Sequence, residues 1–117
     1  MQLHWSEYLA AAYLRYHGLN EVTGNHRCRY GEIDLIMCDR RGPQAVIVFI
    51  EVRYGQRSDC GAPEETVTAA KQRRILLTAS HYLQAQSCLD HITRFDVIAI
   101  SQPHYLPRIR WIQDAFA

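Results

Sequence analysis

Apolar residues fall into five short runs with strand character and two longer stretches with helical spacing. The strongest strand runs are 32–39 and 45–54, within "GEIDLIMCDRRGPQAVIVFIEVRY". Both are apolar enough for a sheet centre, and a tight Gly42–Pro43 connection joins them as a hairpin. The stretch "EVTGNHRCRY" (21–30) reads as an irregular strand, with Gly24 and Asn25 marking a bulge or bend. "RFDVIAI" (94–100) and "RIRWIQ" (108–113) give two later strands, separated by the proline-punctuated "SQPHYLP". Helical spacing first occurs in "WSEYLAAAYLRYH" (5–17), where Ser6 or an earlier residue can cap the start and Gly18 can stop the helix. It returns over 63–86. There Pro63 fits the first turn, Glu64 and Glu65 complement the helix dipole, and Val67, Ile75, Ala79, Tyr82 and Leu83 mark one face. The order α-β-β-β-α-β-β predicts an α/β sandwich, its mixed sheet antiparallel early and fed by a crossover helix later.

Length and composition narrow the class. A chain of 117 residues suits a single domain over 1–117. At that size roughly two thirds of the unfolded surface is buried, enough for a core without staples. The formal charge of +1 gives no global field toward nucleic acid or membrane. No apolar run nears the ~20 residues of a membrane helix, and the opening segment is amphipathic rather than signal-like. Cys28, Cys38, Cys60 and Cys88 are scattered and form no C-x-x-C pair, which argues against zinc and for reduced thiols in the cytoplasm. Lys71 is the single lysine among 13 basic residues. Arginine suits bidentate phosphate contacts, although GC-rich codon usage explains the same bias.

The hairpin carries charges that its apolar character does not call for. Glu32 and Asp34 share one face of the first strand, and Glu51 and Arg53 share one face of the second. A hairpin symmetric about Gly42–Pro43 sets Asp39 opposite Val46, Asp34 opposite Glu51, and Glu32 opposite Arg53. Opposed carboxylates repel, and burial adds a desolvation cost. A divalent cation relieves both. Mg²⁺ takes one or two carboxylates and fills its other positions with water and substrate phosphate, and a neighbouring arginine can bind the phosphate under attack. The simpler alternative stands beside this: Glu32–Arg53 as an ordinary ion pair, and Asp34 and Glu51 as solvated strand-end acids.

These residues resemble a known family. "NHRCRYGEIDLI", "VFIEVR", "AAKQRR" and "RFDVIAI" occur in the order seen in the YraN family of small bacterial proteins, and the similarity runs from Glu7 to the C-terminal "DAF". The resemblance implies a restriction-endonuclease-like fold, a mixed sheet flanked by helices, with a PD-(D/E)XK type site. Asp34 falls on the motif's aspartate and Glu51-Val52-Arg53 on its (D/E)XK element. Glu7 falls on the helix glutamate of related resolvase-type nucleases, and the order Glu, Asp, Glu-X-Lys is similar to archaeal Holliday-junction resolvases. Glu7 also shares an apolar helix face with Ala10, Ala11 and Leu14, where an acid needs a partner; a helix-start glutamate favoured by the dipole is the alternative. The chain departs from the pattern twice. Arg53 replaces the motif lysine and cannot readily serve as a base. Gly55 stands where relatives carry an arginine, for which Arg57 is a substitute. Lys71, which the family pattern shares, can bring an ammonium to the site, or it is a solvated helix lysine.

The resemblance therefore implies a nuclease that hydrolyses DNA phosphodiesters with Mg²⁺ or Mn²⁺, on branched or single-stranded intermediates of repair or recombination. Glu7, Asp34 and Glu51 would hold the metal, with Arg53 and Lys71 stabilising charge on the phosphate. Arg53, Arg57, Lys71, Arg73 and Arg74 would contact the nucleic acid. A homodimer would present two sites to opposed strands. The alternative is a degenerate module that binds nucleic acid or docks to a DNA-processing protein without catalysis. Glu32 belongs either to the site or to a salt bridge. The six histidines show no ligand spacing; His26 precedes the acidic strand and reads as a surface or packing residue, with approach to the site as the alternative, and Trp5 and Trp111 read as core or interface rather than base-stacking residues. Asp96 reads as satisfying polar groups at a strand start.

Overall fold

The computed structural model describes residues 4–55, 67–88, 90–102 and 105–116. The elements are α1 (Trp5–Tyr16), β1 (Leu19–Cys28), β2 (Gly31–Asp39), β3 (Val46–Gly55), α2 (Ala69–Ala85), β4 (Ile92–Ser101) and β5 (Arg108–Ile112). This is an α/β domain with the order α-β-β-β-α-β-β. One five-stranded sheet runs β1-β2-β3-β4-β5. Its first two pairings and its last are antiparallel, and β3 pairs with β4 in parallel, joined through α2. No helix among the described residues is long and apolar enough to cross a membrane.

The helices cover opposite faces. Ala10, Ala11 and Leu14 of α1 pack on Leu35, Met37, Val48, Ile50 and Ile98. Ile75, Ala79 and Tyr82 of α2 pack on Ile36, Phe49 and Val97. The central strand β3 is thus buried on both sides, which is why its sequence is a near-continuous apolar run. The small alanines let α1 lie close to the sheet.

Helix ends differ from expectation in two places. His4, not Ser6, caps α1. Its Nδ1 accepts the Ser6 backbone N–H at 3.2 Å and shares a 2.7 Å hydrogen bond with the Ser6 hydroxyl. The second helix begins at Ala69 rather than in the Pro63 turn, because Thr68 is extended and its hydroxyl accepts the Lys71 N–H at 3.2 Å. Pro63, Glu64 and Glu65 lie outside the described residues. At the other end of α1, Gly18 takes φ +100, the left-handed stop that glycine permits.

The hairpin register is the expected one from Asp39↔Val46 to Leu35↔Ile50. The pairing then ends, so the expected Asp34/Glu51 and Glu32/Arg53 rungs are absent from the ladder. Asp34 Oδ2 instead takes the Val52 N–H at 2.8 Å. On β1 the disturbance sits opposite: the register with β2 shifts between Glu21 and Thr23, and Asn25 adopts φ +54. The alternation of faces breaks at this level, since Ile33 joins the α2-side core with Ile36 whereas Leu35 joins the α1 side. A fork therefore opens between β2 and β3, and Asp34 stands in it.

Candidate functional site

The fork leads into a cleft of about 600 Å³. Asp34, Glu51, Glu32, Lys71 and Arg74 line it, and α2 closes one side through Ile75. Each side chain is placed by a rigid element. Asp34 is fixed by its bond to Val52. Glu51 points toward α2 because Phe49, two residues before it on β3, does, and only 6% of it is exposed. Lys71 occupies the first turn of α2, held by the Thr68 cap. Its Nζ lies 2.6 Å from Glu51 Oε1, and Arg53 Nη1 lies 3.8 Å from the same oxygen.

The acids of the cleft bear on one another. Burial pushes the Asp34 carboxyl up to about 8, and the charges of Glu51 and Glu7 and a hydrogen bond with Glu51 add to the rise. The Val52 N–H opposes it without reversing it. Near neutral pH the Asp34 carboxyl therefore favours its protonated form. Glu7 belongs to the same electrostatic group. Its carboxyl is raised, chiefly by burial and then by the charges of Glu32 and Glu51. Its Oε2 is buried and has no hydrogen-bond partner among the described residues.

These acids offer the oxygen donors that hard cations take. Three carboxylates from α1, β2 and β3 influence one another, one proton is held where a positive charge would replace it, and one buried oxygen lacks a partner. Among the described residues, no group of three or more His, Cys, Asp or Glu side chains is arranged as a site that could hold a metal ion. Magnesium does not need so many protein ligands, since it retains waters and substrate oxygens.

The remaining expected residues divide. Arg74 reaches the cleft; Arg73 is exposed on α2 and does not line it. Arg57 lies outside the described residues. Glu32 lines the cleft, and its ion pair is with Arg27, at 3.0 Å. His26 packs against Tyr82 of α2, with ring centroids 5.1 Å apart, as a packing residue should. Trp111 is a packing residue too, set against Tyr13 and beneath the Arg41 guanidinium. Trp5 is not in the core; it is 44% exposed.

Arg27, Arg29 and Tyr30 escaped the sequence reading, yet they form the mouth of the cleft. Arg29 donates to the Tyr30 hydroxyl at 2.8 Å and covers the ring, its Cζ 4.9 Å from the centroid. The available signal was the alternation of Arg27 and Arg29 just before "GEIDLI". Gly31 makes that turn fit: at φ +149 its missing Cβ would stand 3.4 Å from Thr78 Oγ1 of α2.

Fold and site together define a small α/β protein with a carboxylate-rich cleft at a strand fork, served by one helix lysine. The profile of the uncharacterised protein family UPF0102 matches residues 6–100. The chain belongs to this family, which is the YraN family. Similar proteins include the UPF0102 protein of Psychromonas ingrahamii, 45% identical over 95% of this chain and 85% of its own length. A UPF0102 protein of Coxiella burnetii is 47% identical over 94% and 87%. That of Cupriavidus pinatubonensis is 45% identical over 92% and 78%.

Proposed function

We propose that this protein is a divalent-metal-dependent nuclease that hydrolyses DNA phosphodiesters at the fork between β2 and β3. One observation carries the reading: Asp34 and Glu51 are crowded in a half-buried cleft, with the Lys71 ammonium 2.6 Å from Glu51. A purely structural ion pair would not need a second acid held at so high a pKa. Asp34, Glu51 and Glu7 would hold the ion. Bound there, Mg²⁺ or Mn²⁺ supplies an electrophile for the phosphoryl oxygen and lowers the pKa of water.

The chain's own groups account for the rest. Arg53 stands where a lysine is usual in such sites and keeps its charge at any working pH, so it serves as a phosphate clamp rather than a base. Lys71 supplies the ammonium from the helix instead of the strand. Lys71, 2.6 Å from Glu51, would turn to the substrate phosphate, where charge develops, were Glu51 engaged with the ion. Arg74 and the Arg27–Arg29 turn lie where the flanking strand would pass, and their contacts would weaken with salt.

A second reading has one observation in its favour: the Lys71–Glu51 pair already neutralises an acid that a metal would need, as in a module that binds nucleic acid or a DNA-processing partner without cutting. Labelled single-stranded, duplex and four-way-junction DNA, incubated with Mg²⁺, Mn²⁺ or EDTA, separates the two. Metal-dependent cutting that is lost in Asp34→Ala and Glu51→Ala supports the nuclease. Binding without cutting, indifferent to both substitutions, supports the module.

A further inference from the structure

An aromatic patch flanks the acids. Trp5, the first residue of α1, meets Tyr54 of β3 edge to face, with centroids 4.9 Å apart. His4 lies 5.6 Å from Trp5 and 6.0 Å from Tyr54. Tryptophan is usually well buried, yet here Trp5 is 44% exposed and Tyr54 37%; Tyr8, one helical turn along, is 55% exposed. The rings pack on one another instead of under the core. They are also preorganised. His4 is fixed as the α1 cap, and Tyr54 is held in β3 by its pairing with Ile100 of β4.

The placement relative to the acids is specific. Trp5 precedes Glu7 by two residues on α1, and Tyr54 follows Glu51 by three on β3, ~10 Å along the strand. α1 and β3 thus each carry an acid and a ring; Tyr54, an odd number of residues from Glu51, points to the other face of the sheet, so rings and acids meet around the end of β3.

We infer that the Trp5–Tyr54 patch is a stacking platform for an unpaired nucleobase of a single strand lying across the cleft. This rests on the reading of the cleft as a nucleic-acid site, and it names the substrate form. Every base has a π-face that an aromatic ring can match whatever the sequence. Arg53 and Lys71 complement the charge of the backbone phosphates, so a strand rounding the end of β3 would set a base on the rings and a phosphate toward the cations. Bases inside a duplex are already stacked on their neighbours and cannot use the platform.

Binding of the full chain to labelled oligonucleotides, measured by fluorescence anisotropy in EDTA, tests this without requiring catalysis. Trp5→Leu and Tyr54→Leu keep apolar bulk but lose the π-face, whereas Trp5→Phe keeps a ring. Each leucine variant should bind single-stranded DNA about tenfold more weakly, with duplex binding unchanged and Trp5→Phe close to the parent. On a strand of abasic sites, parent and Trp5→Leu should bind alike. The inference is overturned if the leucine variants keep full single-strand affinity, or lose as much on the abasic strand. It is also overturned if the parent is a dimer that Trp5→Leu dissociates, since the patch is then a contact between copies. The nuclease reading fails separately: ring-dependent binding by a parent that cuts nothing leaves the platform standing, and cutting with ring-independent binding removes the platform alone.

Discussion

The two ends of the β2–β3 ladder treat buried acids in opposite ways. At the Asp39–Val46 end, Asp39 and, joined to it through Arg94, Asp96 of β4 are well supplied with donors. Asp96, fully buried, accepts Arg94 at 2.9 and 3.0 Å, the Trp111 indole at 2.9 Å and the Asp114 N–H at 2.9 Å. Asp39 accepts Arg41 at 2.8 and 2.9 Å and Arg94, which reaches across β3, at 3.0 Å. Those partners, led by Arg41, hold the Asp39 carboxyl below the usual range. Five residues from Asp39 on β2, ~17 Å along that strand, Asp34 is pushed up, and among the described residues Glu7 Oε2 has no partner. Similar side chains on one sheet thus serve two ends. Where donors match acids, the cluster fastens the C-terminal residues to the sheet: Ala115 donates to the Phe95 carbonyl at 2.7 Å, and Phe116 stacks on Phe95. Where acids crowd one another, the fold tolerates a cost that the proposed cation would remove.

Removing an acid from each end should therefore have contrary effects. Asp96→Ala leaves the Arg94 guanidinium buried without its main partner and should cost roughly 3–5 kcal/mol in chemical denaturation. Asp34→Ala should leave stability unchanged or raised while cutting nuclease turnover by about a thousandfold. Equal destabilisation by the two would erase the distinction between the ends.

Acidity sharpens the same contrast. Folding raises the Asp34 pKa, so the folded state holds this proton more tightly than the unfolded chain, whose value is ~3.9. Its stabilising contribution is complete below ~4 and is lost as the pH climbs through about 8. Asp39, depressed on folding, contributes above its unfolded value and loses that contribution as the medium is acidified. Asp34→Asn should flatten the decline on the alkaline side and leave the acid limb intact, as read from melting temperature against pH. A cation must displace the Asp34 proton. Calorimetric Mn²⁺ affinity should then rise about tenfold per pH unit as the pH approaches about 8 and level off above it.

Smaller effects test positioning. Thr68→Ala removes the cap that fixes the Lys71 turn and should cost ~1 kcal/mol in stability, together with a fall in turnover that Thr68→Ser restores. Arg27→Ala breaks an exposed pair with Glu32 and should shift stability by less than about 0.5 kcal/mol, while lessening the salt dependence of DNA binding.

The sequence carried the element order and the central register because long apolar runs and a tight turn leave few alternatives. It placed Asp34 and Glu51 together correctly in space but paired them as a ladder rung; side-chain alternation cannot reveal that a positive φ at Asn25 and a carboxylate–amide bond will open a fork. The donor network of Asp96 was half legible, since Arg94 lies two residues away on the same strand face. Asp39, Arg41 and Trp111 come from distant segments that only the folded sheet unites. For Trp5 the sequence left core and interface open; the fold removes the core, and its ring partner Tyr54, 49 positions away, could not be read from the helix alone. Lys71 was readable as the single lysine, but its approach to Glu51 depends on where α2 begins, which Thr68 sets.

The central claim is that the acids at the fork are crowded together for the sake of a cation. The most direct test is the melting temperature at mildly alkaline pH with and without Mn²⁺, for the parent and for Asp34→Asn combined with Glu51→Gln. The account predicts a rise of several degrees in the parent, dependent on metal concentration, and none in the variant, which should melt higher than the metal-free parent. No shift in the parent, or an equal shift in both proteins, would contradict it.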